Sequence, residues 1–220
     1  MKIKSLFILV LFCGSCSKQK IVSGKNGMVV STSAQASQVG IDILKQGGNA
    51  VDAAAAVGFT LAVTSSSNGN LGGGGFMVCR MANGKTFTLD YREMAPKSAY
   101  KDLFLDSSNN VIKDKSTKTH YASGIPGSVD GLLRAWKDHG SGNISIQQLL
   151  GPAIRYAKNG FKLSYYEAER FNNRKSFLSK HPETKRIFTR DDRKWKRGDI
   201  FYQKDLGATL ERIVKHGRDG

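Results

Sequence analysis

The sequence predicts an α+β fold. Three observations carry that prediction: a short strand-like run is followed by two helical stretches, a strong β-hairpin signal comes next, and everything after it reads as helices. The chain has 220 residues, 40% of them hydrophobic, with 24 glycines and 4 prolines. That is enough for one domain with a substantial core, or for part of a larger one. No internal repeat and no low-complexity linker interrupts it.

The elements follow in order. "GMVVSTS", Gly27–Ser33, reads as a short strand. Val39, Ile43 and Leu44 then recur at helical spacing, with Ser33 able to cap the start and Gly47–Gly48 to stop the helix. Asn49 is a good N-cap for the next helix, and Asp52 sits where the helix dipole favours an acid. The stretch it opens, "AVDAAAAVGFTLAVT", is alanine-rich and apolar on every side, as a buried helix packed close to its neighbours would be. Phe76–Met81 and Thr86–Tyr91 are β-favouring runs separated by Asn83–Gly84, a hairpin whose second strand is expected to end in Arg92. Gly124, Pro126 and Gly127 form a turn, and Val129–His139 reads as a helix. "SIQQLLGPAIRYAKNGF" is another helix with Gly160 as its stop; Pro152 should kink it or begin its main segment. From Ser164 onward the helices are charged and amphipathic. A polar loop at Arg190–Gln203 runs into a short apolar patch, and "DLGATLERIVKHG" is the last helix.

The charge is strongly basic: 34 Lys and Arg against 18 Asp and Glu, a formal net charge of +16. Such a balance raises nucleic acid and anionic membranes as partners. Acids are interleaved throughout and no nucleic-acid motif of the usual kinds is present, so a solvated surface of mixed sign is the expectation and no nucleic-acid partner is expected. A basic C-terminal third still leaves open a non-enzymatic exported lipoprotein that binds anionic partners.

The first residues, "MKIKSLFILVLFCGSCSKQK", read as an export leader: early lysines, an apolar run from Leu6 to Phe12, then small residues. The apolar run is too short to span a bilayer as a helix. Residues 1–16 are thus assigned as a signal peptide, with residues 21–220 as the body. Gly14 and Ser15 before Cys16 resemble a bacterial lipoprotein signal, in which Cys16 would be lipidated and would anchor the protein to a membrane; an ordinary cleaved signal is the other reading. Periplasmic or membrane-anchored placement follows from either. Cys79, the one cysteine outside the leader, is expected to be a small buried hydrophobe, since it has no partner for an internal disulfide or a metal.

No catalytic set can be assembled from spacing alone. His120, His139, His181 and His216 are scattered in polar contexts, and Asp191–Asp192 sits among arginines and lysines, as in a salt-bridged loop. "GNLGGGG" lacks the ending of a phosphate loop and precedes a strand, so it reads as close backbone approach or as a bare wall beside a ligand. Nothing nominates a metal or cofactor. Arg92 is different. A planar guanidinium at a strand end, next to a glycine-walled region, could grip a carboxylate with two parallel hydrogen bonds. An ion pair with Glu93 or a neighbouring acid is the competing reading, and a lone carboxylate-binding module is a weaker third.

Four uncommon strings in order, "GMVVSTSAQASQVGIDILKQGGNAVDAAAAVGFTLAVT", "GNLGGGGFMV", "LDYREMAP" and "HYASGIPGSVDGL", resemble the N-terminal part of γ-glutamyltranspeptidases, also called glutathione hydrolases. The resemblance covers essentially everything after the leader. It implies a partial N-terminal nucleophile hydrolase sandwich of αββα layers. The family's precursor cleaves itself into two subunits, and the new N-terminal threonine of the small one attacks the γ-glutamyl amide. The acyl group then passes to water, an amino acid or a peptide. The threonine's own amine serves as base, so no histidine is needed. The family's arginine in "REMAP" binds the α-carboxylate of the γ-glutamyl group, and this role carries over to Arg92. The substrates implied are γ-glutamyl compounds such as glutathione, and the partners implied are the small subunit and the remainder of the large one. "SSSNG" departs from the pair that relatives commonly carry there. The chain stops at "HGRDG", inside what the resemblance makes the large subunit. The nucleophile is expected downstream, the 220 residues to be inactive alone, and apolar faces meant for the rest of the sandwich to be exposed.

Overall fold

The computed structural model describes residues 22–220. Its helices are α1 (Ala34–Lys45), α2 (Ala50–Thr64), α3 (Lys115–Lys118), α4 (Ser128–His139), α5 (Ile146–Asn159), α6 (Tyr165–Asn173), α7 (Lys175–Leu178), α8 (Pro182–Phe188) and α9 (Lys204–His216). Its strands are β1 (Phe76–Arg80), β2 (Thr86–Asp90), β3 (Phe161–Lys162) and β4 (Ile200–Phe201). Among the described residues the strands form two antiparallel pairs, β1 with β2 and β3 with β4. The α+β reading holds.

Burial explains why α2 sits at the centre. Phe59, Val63, Val51, Ala55 and Ala56 are almost wholly inaccessible, and α1, α4 and α5 pack around the helix. Alanines on several faces let those neighbours approach closely. Helix α5 in turn packs on α9, bringing Leu149, Leu150, Leu210 and Ile213 into the same core. The helix starts are set as the sequence indicates. Ser33 accepts from the Ala36 N–H at 3.3 Å, and Asn49 accepts from the Val51 and Asp52 N–H groups while its own N–H donates to the Asp52 carboxylate at 2.8 Å. Asp52 also accepts from the Ser141 N–H at 2.9 Å, and the Asn49 amide donates to the His139 carbonyl, so one cap ties α2 to the α4–α5 connection. The same core continues into an aromatic end, where Phe161, Phe171, Phe188, Trp195 and Phe201 meet between α6, α8 and the β3–β4 pair.

Four local expectations need correction. Gly27–Ser33 is not a strand: it has no backbone neighbour to pair with among the described residues, and Val30 is 85% exposed. Its hydroxyls are used instead, Ser33 bonding Thr64 at 2.8 Å and Ser31 bonding Ser37. Helix α5 runs through Pro152, so of the two readings the proline does not begin its main segment. Cys79 is half-buried, because the hairpin is covered on one face only: Met77, Cys79, Phe87 and Leu89 face inward, while Phe76 and Val78 stand out to solvent. That outward apolar face fits the expectation of uncovered sandwich surface. Finally, β2 ends at Asp90, not at Arg92.

Candidate functional site

The β1–β2 hairpin delivers its last residues into a clamp of backbone. Gly84, at φ +84°, makes the turn at one end, as Asn83–Gly84 implies. At the other end, Tyr91 continues the ladder by one more pair with Gly75, at 3.0 and 3.4 Å. The Arg92 N–H then turns aside to the Asp90 carboxylate at 3.0 Å. That local bond takes the donor a longer strand would have used, which is why Arg92 lies just past the pairing. Met94 and Ile125 exchange two backbone bonds, at 3.1 and 2.8 Å. Arg92 and Glu93 are therefore held on both sides by residues fixed to other segments.

A third wall closes the clamp. The N–H groups of Gly127 and Ser128 both donate to the Gly73 carbonyl, at 2.8 and 2.9 Å, and the Ser128 hydroxyl meets Asn70 at 3.0 Å. Here the glycines are a steric requirement. A Cβ on Gly74 would lie 2.5 Å from the Tyr91 carbonyl oxygen and 2.7 Å from the Arg92 Cα. A Cβ on Gly127 would overlap the Tyr91 carbonyl, and one on Gly131 the Tyr91 ring. Gly72, two residues before Gly74, has nothing near it. The ring of Tyr91 wedges against Gly75 and Gly131 and the main core, and its burial pushes the phenol above its usual range.

On this backbone the Arg92 side chain is exposed and makes no ion pair among the described residues; neither does Glu93. The competing ion pair between them does not form. An exposed guanidinium without an ion-pair partner can receive a planar carboxylate without first giving up an internal one.

The remaining nominees are not drawn into this site. His139 stacks on Phe87 at 3.8 Å, His181 precedes α8 and His216 ends α9; among the described residues no histidine ring bonds a serine, cysteine or carboxylate. Asp191 pairs with Lys185 at 3.3 Å and Lys175 at 4.0 Å, the salt-bridged loop its neighbours suggest. Cys16 lies outside the described residues. A surface cavity of about 380 Å³ lies between α8, β4 and the start of α9, lined by Phe188, Trp195 and Tyr202, and does not include Arg92. Sequence reasoning missed Tyr91, Gly127 and Gly131 as supports. The small-residue run around Pro126 was legible as a turn, but the ring it faces is some forty residues earlier in the chain.

Comparison with known proteins gives a consistent result. The γ-glutamyltranspeptidase family model matches residues 36–220. The chain is 45% identical over 199 residues to the glutathione hydrolase proenzyme of Escherichia coli, covering 90% of this chain and 34% of that protein. It is 40% identical to the glutathione hydrolase proenzyme of a Pseudomonas species, covering 99% of this chain and 38% of that one. Among solved structures, it superposes on the γ-glutamyltranspeptidase of Helicobacter pylori with a TM-score of 0.84 at 40% identity, covering 90% of this chain and 56% of that chain. The chain thus spans about a third of the length of the curated relatives it matches, and its α+β fold is part of an N-terminal nucleophile hydrolase domain.

Proposed function

This chain belongs to the γ-glutamyltranspeptidase family, and on that premise we propose that it supplies part of the substrate-recognition half of a γ-glutamyl acyl-transfer site. Arg92 receives the α-carboxylate of the γ-glutamyl group. The observation that carries this reading is the pairing of a fixed backbone with an exposed, unpaired guanidinium. The backbone beneath the cation is fixed before substrate arrives, so only the side chain has to be ordered on binding.

In the proposed reaction a threonine hydroxyl attacks the γ-carbonyl carbon. The C–N bond to the leaving amine breaks, the amine takes up a proton, and an acyl ester remains. Water or the amine of an amino acid or peptide then attacks that ester and restores the threonine. The resemblance assigns the threonine to residues beyond these 220, within a small subunit, and no nucleophile–base pair stands among the described residues. Glutathione and related γ-glutamyl amides are the proposed substrates. Residues 1–16 are proposed as an export leader with Cys16 as its lipidation point, on the strength of the early lysines and the apolar run. No described helix is long and apolar enough to cross a membrane.

The test is an incubation with a γ-glutamyl anilide. The 220-residue chain alone is expected to release no aniline, and the same chain expressed with the family's threonine-bearing remainder is expected to turn over. Sustained release by the 220 residues alone would overturn the division of labour proposed here.

A further inference from the structure

A basic and aromatic patch on the C-terminal third has no part in the acyl-transfer reading. Its scaffold is rigid. The Leu163 N–H donates to the Asp199 carbonyl at 2.8 Å and the Gly198 N–H to the Leu163 carbonyl at 2.9 Å, and Lys162 pairs opposite Ile200, so the residues just before α6 are fixed to the 198–200 segment. The Asn172 amide clips that loop to α6, donating to the Trp195 carbonyl and accepting from the Trp195 N–H, both at 2.9 Å. The Trp195 ring is buried, and the Arg190 guanidinium covers it at 3.9 Å.

What this scaffold presents is one-sided. Lys194, Lys196 and Arg197 flank the buried Trp195 and are exposed, as is Lys162 across the strand pair. None of the four makes an ion pair among the described residues. Nearby acids are already engaged. Asp199 is gripped by Arg193 at 2.6 and 3.0 Å, which with the Lys196 N–H holds its carboxyl down at about 2, and Glu167 caps the Ser164 N–H. Asp191 is held by Lys175 and Lys185; Asp192 and Glu169 are left as the local counter-charges. Tyr165 and Tyr166, which follow Lys162 closely in the chain, open α6 with their rings in solvent, Tyr166 at 85% exposure.

We propose that this patch docks the protein on an anionic lipid surface, with Lys162, Lys194, Lys196 and Arg197 among the headgroup phosphates and Tyr165 and Tyr166 in the interfacial layer. Charge complementarity selects the surface: four cations with no internal partner gain most from a dense sheet of fixed negative charge. The tyrosines select lipid over a duplex. An amphipathic ring beside basic side chains partitions into the headgroup layer, whereas phosphate contacts on duplex DNA give it nothing to bury.

The probe is a phosphatidylglycerol-containing vesicle, compared with pure phosphatidylcholine vesicles in a sedimentation assay on the body, residues 21–220, without the proposed leader. Binding is expected on the anionic vesicles only and should fall with added salt. The triple variant K194E/K196E/R197E is expected to bind about a hundredfold more weakly, with an unchanged circular-dichroism spectrum. K85E/K97E/K101E, which alters net charge equally, is expected to bind as the parent does. In a body with Cys79 replaced by serine, an environment-sensitive dye on Lys196→Cys should shift to the blue on anionic vesicles, a readout that does not depend on the triple variant's folding. Equal loss in the two triple variants, no dye shift, or tighter binding to single-stranded DNA than to anionic vesicles would each overturn the proposal.

Discussion

Replacing Arg92 with lysine should lower kcat/KM for a γ-glutamyl anilide about a hundredfold, in a polypeptide joining this chain to the family's catalytic threonine. An arginine fork binds both oxygens of a carboxylate in one plane; an ammonium keeps the charge but loses that geometry. A hydrogen bond to a charged group contributes about 1.5–3 kcal/mol, and about 1.4 kcal/mol is a factor of ten in rate or affinity, so losing one well-formed bond accounts for the expected effect. Arg92→Ala should cost more, about a thousandfold, since the charge goes too. The carboxylate is remote from the bond that breaks, so much of the loss should appear in KM. Stability should hardly move, within about 0.5 kcal/mol, because the side chain is exposed and bonded to nothing in the described structure. Unchanged kcat/KM in Arg92→Lys would remove Arg92 from its assigned role.

The second large effect distinguishes two residues of one glycine run. Gly74→Ala should destabilise the domain by about 1–3 kcal/mol, as overpacking does, and lower kcat/KM about ten- to a hundredfold by displacing Arg92. Its new methyl would meet the Tyr91 carbonyl, the Arg92 Cα and the Glu93 nitrogen, and none of these can swing aside as a side-chain tip can. Gly72→Ala should be close to neutral by both measures, since a Cβ there meets open space. Thermal denaturation with steady-state kinetics on the two variants checks this. Equal effects at the two positions would mean that the run is a generic loop and not the seat of the arginine.

What the sequence revealed and what it hid divide along physical lines. Caps and turns are written in a few adjacent residues, so Ser33, the Asn49–Asp52 pair and Asn83–Gly84 could be read directly and the structure bears them out. The buried character of α2 was legible because apolar residues cover all its faces. Gly27–Ser33 has the composition of a strand, but a strand exists only with a backbone partner, and composition does not show whether one is there. Cys79 reads as buried from its apolar neighbours, yet strand residues alternate and the hairpin has one covered face. The β3–β4 pair joins residues some forty positions apart and only two residues long, below what a local pattern can signal. At the candidate site, the glycine run and Arg92 were both visible, and close backbone approach holds at Gly74 but not at Gly72. What stayed hidden was their joint geometry: the Asp90 turn that releases Arg92 from the strand, and the Tyr91 wedge seated on Gly131.

The central claim is that Arg92 holds the substrate's α-carboxylate. The most direct measurement is a crystal structure of the completed protein with glutamate bound. Two near-parallel bonds of about 2.7–2.9 Å from the Arg92 guanidinium to the two α-carboxylate oxygens are the expected result. Glutamate bound with its α-carboxylate on other groups, and Arg92 still facing solvent, would contradict it.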